Sequence, residues 1–241
     1  MQERYFGGVG DFAKYGLLRA LVSALPAAQL GVHWYLTDDQ LGNPGDGKHD
    51  AYLLRATNRA LDPILFDLLK EARGAGRETA AIEEGNLLPG VFVREPVPDL
   101  KNRSEWSDRA KAQLGKANLA FVDPDNGLET RSPNRKHILR REISDLLDVE
   151  FPRSLIVYQH RARQRMEEDM CFPRTHIAEC TAHTPLYERF ALVVRRGTQR
   201  AFIVLAHPEH ADHLLNAATS FVAKWAIGSK EMRIFEPNLV R

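Results

Sequence analysis

Two stretches decide the fold: Ala117-Asn118-Leu119-Ala120-Phe121-Val122-Asp123 and Ser154-Leu155-Ile156-Val157-Tyr158-Gln159-His160. Each is an apolar run of strand length that turns polar at its last position. A run apolar at successive positions buries both faces, which suits a parallel strand covered by helices rather than a half-exposed antiparallel one. Between the two lie a polar loop, 124–136, and an amphipathic helix predicted over 137–147. Strand, helix, strand in that order predicts parallel crossovers. In such sheets ligands lie at the carboxyl ends of the strands. Asp123 and His160 close the two runs and are therefore the first candidates for chemistry.

Working outward, residues 12–25 read as a helix capped by Asp11 and stopped by Pro26. Residues 30–37 read as a strand, and 38–50 as a loop rich in Gly, Asn, Pro and Asp. A helical stretch over 51–73 is interrupted at Asp62-Pro63. Weak strands are expected at 79–83 and 91–94, and a helix over 104–114 capped by Ser104. A polar helix is expected from Arg161. Residues 191–208 read as a hairpin around Arg196-Gly197-Thr198, followed by a helix over 210–225. The order predicts one α/β domain, 1–241, with a doubly wound, mostly parallel sheet. A C-terminal hairpin would contribute an antiparallel strand, and residues 51–75 a small helical insertion.

The chain has 241 residues, 44% hydrophobic and 27% charged, with 33 Lys+Arg against 32 Asp+Glu, a net charge of +1. That balance excludes a uniformly basic nucleic-acid coat and a polyacidic tail. No apolar run approaches the roughly 20 residues needed to span a bilayer, and the N-terminus has no signal-peptide core. Two cysteines cannot build a disulfide framework. These features predict a cytoplasmic protein with no membrane partner.

Three strand ends carry candidate groups. After the first strand, Asp38 and Asp46 can accept hydrogen bonds from ribose hydroxyls or an amino group. The glycines of the loop through Gly47 and His49 let backbone approach a ligand. The loop matches neither the dinucleotide nor the phosphate-loop spacing, and a plain surface loop is the alternative. After the second, Asp123 emerges from a buried strand, which costs free energy unless it is hydrogen-bonded or does chemistry. Pro124 fixes its direction, and Asp125, Asn126 and Glu129 follow; turn capping is the competing role. An EF-hand is excluded, because its code puts an oxygen ligand at the position that Gly127 holds. The third end is Tyr158-Gln159-His160, followed by Arg161, Arg163 and Arg165. Between Arg131 and Arg165 there are nine Lys/Arg and four Asp/Glu, a surplus of five positive charges suited to phosphate. Cys171, His176, Cys180 and His183 interleave in an order that fits a zinc site poorly, and His207, His210 and His213 drift around a helix. No metal site is assigned. Gly7-Gly8-Val9-Gly10 precedes the first helix, whose free N–H groups suit an anion, but it is not a Walker sequence.

The helix start Asp11-Phe12-Ala13-Lys14-Tyr15, the glycine loop, the helical stretch and Asp123-Pro124-Asp125-Asn126 follow in an order that resembles the S-adenosylmethionine-dependent methyltransferases. In layout the chain is most similar to the bacterial large-subunit ribosomal RNA adenine-N6 methyltransferase family. The phrases GDFAKYGLLRAL, DPDNGLE and YQHRAR also resemble a bacterial and phage family without assigned function. The first resemblance implies a Rossmann-like methyltransferase fold, S-adenosylmethionine as cofactor, and nucleic acid or a nucleotide as partner. It implies Asp123 as acceptor for the target amino group and Lys14 with Tyr15 near the cofactor's carboxylate. Asp38 or the Asp46-Gly47 loop would touch the cofactor. Asp125 and Asn126 stand where that family has its second proline and base-stacking aromatic, and Tyr158 can supply stacking instead.

Two other readings stand beside a methyltransferase. One is a Mg²⁺-dependent nuclease or phosphoesterase, with Asp123, Asp125 and Glu129 on the metal, His160 as acid–base, and Arg161 or Arg163 on phosphate. The other is a binding module that kept the fold without catalysis.

Overall fold

The computed structural model describes residues 1–37, 49–75, 79–160, 187–227 and 229–235. Helix α1 (Val9–Ala24) precedes strand β1 (Leu30–His33). A 3-10 turn (Ala51–Leu54) and the helices α2 (Ala56–Arg59), α3 (Pro63–Ala75) and α4 (Ala80–Glu84) lead to β2 (Gly90–Val93). Helix α5 (Arg103–Leu114) runs into β3 (Leu119–Val122). Two short strands, β4 (Gly127–Leu128) and β5 (His137–Ile138), pair within the loop before α6 (Arg140–Leu147). Then come β6 (Ser154–His160), β7 (Glu188–Arg196), β8 (Thr198–Ala206), α7 (Ala211–Trp225) and β9 (Glu231–Phe235).

Among the described residues, seven strands form one sheet in the order β2-β1-β3-β6-β8-β7-β9. β2, β1, β3 and β6 are parallel, with Leu30 opposite Leu119 and Leu119 opposite Ser154. β8 runs against β6, β7 against β8, and β9 against β7, so five of the seven strands share one direction. Gly197 turns β7 into β8 with φ +71°, a conformation that costs glycine little.

The alternation of side chains along β3 and β6 divides the core into two layers. Leu119, Phe121 and Ile156 join the aromatic face of α1, where Phe12 packs against Trp225 of the C-terminal helix. Ala120, Val122, Leu155 and Val157 join Trp106 and Ile143 of α5 and α6 on the other side. At about 25 cal/mol per Å² of apolar area removed from water, these fully buried strands supply much of the drive to fold. On the α5–α6 side a bidentate ion pair is sealed into the core. Arg103 Nε donates to Glu142 Oε1 at 2.7 Å and Nη2 to Oε2 at 2.5 Å. Glu142 also accepts from Leu139 N–H and the Tyr35 hydroxyl.

Several expectations from sequence are corrected. Residues 79–83 are not a strand: Ala80–Glu84 is a helical turn, as its Ala and Glu composition favours, with Ile82 buried. The helix expected from His137 starts at Arg140, because His137 and Ile138 pair with Gly127 and Leu128 instead. Asn102, not Ser104, precedes α5, since a 3-10 turn over Leu100–Asn102 leads into it. Asp11 lies inside the first turn of α1 rather than capping it, and its Oδ2 accepts the Gly7 N–H at 3.0 Å. Strand β9 was not anticipated. The helix expected from Arg161 lies outside the described residues. No helix among the described residues is long and apolar enough to cross a membrane.

Candidate functional site

The site grows from the end of β3. Asp123 N–H donates to the His33 carbonyl of β1, which carries the pairing one residue past the strand and fixes where the carboxylate points. The side chain is 3% exposed. Lys14 reaches it from α1, with Nζ 2.6 Å from Asp123 Oδ2 and 2.8 Å from Asp11 Oδ1. Asp11 and Lys14 are three residues apart and share a helix face. The Tyr15, Trp34 and Tyr158 rings surround the ammonium at 5.0, 5.9 and 6.0 Å. Burial pulls the Lys14 ammonium down, but Asp11 and Asp123 outweigh it and hold it above the ordinary lysine range. Burial raises the Asp123 carboxyl, against the pull of Lys14 and the Met1 amino group. No donor among the described residues bonds to Asp123 Oδ1.

The N-terminal segment and the acidic loop close around this pair. The Met1 amino group donates to the Tyr35 and Asp123 carbonyls at 2.8 and 2.9 Å and lies 3.2 Å from Asp125 Oδ1. Thr37 Oγ1 donates to Asp125 Oδ2 at 2.8 Å. Tyr35 has φ +50°, a conformation that costs a non-glycine residue about 1 kcal/mol and aims its carbonyl at that amino group. Gln159 holds the loop from the next strand. Its Oε1 accepts the Leu128 N–H at 2.8 Å, and its Nε2 donates to the Asn126 carbonyl at 3.0 Å. A Cβ at Gly127, where φ is +91°, would collide with this amide, so the two residues form one clamp.

Above lies a cavity of about 420 Å³, within the range of small-molecule sites. Asp123, Asp125, Asn126, Lys14, Tyr158, His160 and His49 all line it. β3 and β6 are parallel neighbours, so Asp123 and His160 share one rim. Burial lowers the His160 imidazole, helped by Arg200 and opposed by Asp125, so the ring is neutral near pH 7. Its Nδ1 is 3.4 Å from the Tyr158 hydroxyl. Tyr15 is fully buried beneath the cavity rather than on its wall, with its hydroxyl unpartnered among the described residues. Asp38, Asp46, Gly47, Arg161 and Arg163 lie outside the described residues, as do Cys171, His176, Cys180 and His183.

Sequence reasoning missed four wall or support residues: Asp11 as a partner of Lys14, Lys136, Arg200 and Gln159. Arg200 comes to the site only through the antiparallel register that sets it opposite His160, a pairing that no local pattern announces. His210 bonds Ser154 at the start of β6, the strand end opposite His160, and so serves the fold. Among the described residues no cluster of three His, Cys, Asp or Glu could hold a metal ion. Glu129 lies 3.6 Å from Arg140. Compared with protein-family models and with curated proteins, the chain finds no match.

Proposed function

We propose that the protein is a methyltransferase-like enzyme that moves a methyl group from S-adenosylmethionine to an amino group of nucleic acid or a nucleotide. One observation carries this reading. A buried aspartate at the carboxyl end of a parallel strand has one oxygen held by Lys14 and the other left to a ligand-sized cavity. Helices on both faces and the β7–β8 hairpin, which sets an antiparallel strand between β6 and β7, support a doubly wound methyltransferase-type fold. A cytoplasmic setting follows from the substrates.

The residues fit such a cofactor. Gly8 lets backbone line the cavity without a side chain, and the acidic floor tolerates a cationic ligand. The bound cofactor supplies an electrophilic methyl group. Asp123 Oδ1 accepts one N–H of the target amine and so points the nitrogen lone pair along the transfer axis, an effect of positioning. Lys14 keeps the carboxylate from turning away. The carboxyl's raised proton affinity equips it to take the proton that the methylated nitrogen gives up. Tyr158, on the same wall, offers a ring face to the base.

The Mg²⁺ reading loses ground here. Asp123 is committed to Lys14 and Asp125 to the Met1 amino group and Thr37. The test is transfer of labelled methyl from the cofactor to adenosine- and cytidine-containing oligonucleotides and mononucleotides. Asp123→Asn should slow transfer about 100-fold, and EDTA should leave it unchanged. Absence of transfer to any of them, or transfer that survives Asp123→Asn, overturns the reading.

A further inference from the structure

One buried acceptor at the cavity has nothing to accept. Gln2 lines the cavity and is 1% exposed, and its carboxamide Oε1 finds no partner among the described residues. Tyr15 and His33 also carry buried atoms of this kind, but neither lines the cavity. The backbone on both sides of Gln2 is pinned. The Met1 carbonyl accepts the Thr37 N–H at 3.1 Å, and the Gln2 carbonyl accepts the Tyr5 N–H at 3.1 Å. Glu3, the next residue, takes the Thr79 N–H at 2.7 Å and the Arg94 guanidinium at 3.2 Å. These bonds fix Gln2 at the cavity rather than in bulk water. On its other side the Met1 amino group bonds the Asp123 carbonyl at 2.9 Å, so Gln2 directly follows a residue in contact with the candidate amine acceptor.

A buried acceptor without a donor costs its desolvation in full, and native chains leave few such groups without a reason. A methionine at the same place would avoid the cost. An occupant of the cavity that brings an N–H supplies the reason. A carboxamide also carries a donor beside its acceptor. It therefore matches a base edge on which an amino group adjoins an acceptor ring nitrogen, the pairing by which glutamine reads adenine. Adenine and cytosine present such an edge; hypoxanthine and uracil put a keto oxygen in place of the amino group, facing the Asp123 carboxylate.

We propose that Gln2 reads the base, its Oε1 accepting from the amino group and its Nε2 donating to the neighbouring ring nitrogen, so that the substrate is an adenine- or cytosine-type base. The proposal rests on the methyl-transfer reading for the amino group at Asp123 and adds the residue that selects the ring bearing it. Because Gln2 acts on the ligand and not on the fold, its loss weakens binding without weakening the protein.

Calorimetric titration with adenosine, cytidine, inosine and uridine tests it, beside S-adenosylmethionine and urea unfolding. The wild type should bind adenosine or cytidine at least about tenfold more tightly than the matching keto nucleoside. Gln2→Met should lose about tenfold for the amino nucleoside, keep its affinity for S-adenosylmethionine, and unfold at the same or a higher urea concentration. Removing the ring nitrogen from the ligand, with 1-deaza- or 7-deazaadenosine or 3-deazacytidine, should weaken binding several-fold in the wild type and leave Gln2→Met unaffected. Adenosine stronger than cytidine assigns the site to a purine, and the reverse to a pyrimidine. Binding of no nucleoside, amino-nucleoside binding that survives Gln2→Met, a loss that falls on S-adenosylmethionine instead, or a lowered urea midpoint overturns the proposal. Base recognition lost in Gln2→Met without methyl transfer by the wild type keeps the role of Gln2 and removes the transfer. Transfer that Gln2→Met leaves unchanged does the opposite.

Discussion

Among the described residues, the buried pairs Arg103–Glu142 and Lys14–Asp123 are alike in pairing and differ in what surrounds them. Arg103–Glu142 is shut away from solvent: bidentate, 0% and 1% exposed, with the carboxylate also accepting from Leu139 and Tyr35, although Arg103 Nη1 has no partner among the described residues. Lys14–Asp123 is as dry at its side chains, yet one carboxylate oxygen is left to a cavity of about 420 Å³. Sealing a charge with excellent geometry makes a joint between α5 and α6. Leaving one lone pair toward a cavity makes a site. Burial and pairing are common to both; an acceptor that borders a cavity separates them.

The largest expected effect breaks the sealed pair. Glu142→Gln leaves the Arg103 charge buried without its counter-ion and should cost about 3–5 kcal/mol in urea unfolding. Replacing both, Arg103→Met with Glu142→Leu, should recover most of that loss, because the pair's own desolvation disappears with it.

The same sealed layer should also fail in acid. Burial, with help from Arg103 and the amino terminus, pushes the His33 imidazole from 6.5 down to about 3. The unfolded chain therefore takes up a proton that the folded chain refuses. The stability this group contributes is complete above pH 6.5 and falls by about 1.4 kcal/mol per pH unit between there and pH 3. Both its ring nitrogens lack partners among the described residues, and its ring lies 4.6 Å from that of Trp106. His33→Phe should flatten the acid limb, seen as urea midpoints at pH 4 and 7 that draw together.

A smaller stability effect sharpens the other half of the comparison. Lys14→Met should cost only about 1–3 kcal/mol, because Asp11 keeps its bond to Gly7 and Asp123 can meet water or a proton at the cavity. Its ligand binding should nevertheless collapse. Gln159→Leu removes two loop bonds and should cost about 1–2 kcal/mol in the same unfolding measurement, with ligand affinity falling more than stability. Exposed Arg59, paired with Asp67, is the control: Arg59→Ala should leave the melting temperature unchanged.

The central strands were legible because burial on both faces writes itself into consecutive apolar residues, as in Leu119 to Val122. Asp123 and His160 were legible for the related reason that polarity returns abruptly where a buried strand reaches the rim. What sequence did not yield depends on contacts distant along the chain. Gln159 looks like one more strand residue until the Gly127 loop folds onto it. Arg200 is one of several arginines around Gly197, and only the β6–β8 register selects it. Glu231–Phe235 alternates polar and apolar but is only five residues long, too short to announce β9, which depends on the edge that β7 offers. Residues 79–83 misled in the opposite sense: a single buried Ile82 among Ala and Glu supports a helical turn as well as a strand.

Titration of S-adenosylmethionine into the wild-type protein, Glu142→Gln and Lys14→Met tests the distinction between the two pairs most directly. Wild type and Glu142→Gln, measured where both are folded, should bind with similar affinity, while Lys14→Met should lose at least about tenfold with its circular dichroism intact. No heat from the wild type, or equal binding by wild type and Lys14→Met, would contradict the assignment of the Lys14–Asp123 pair to function.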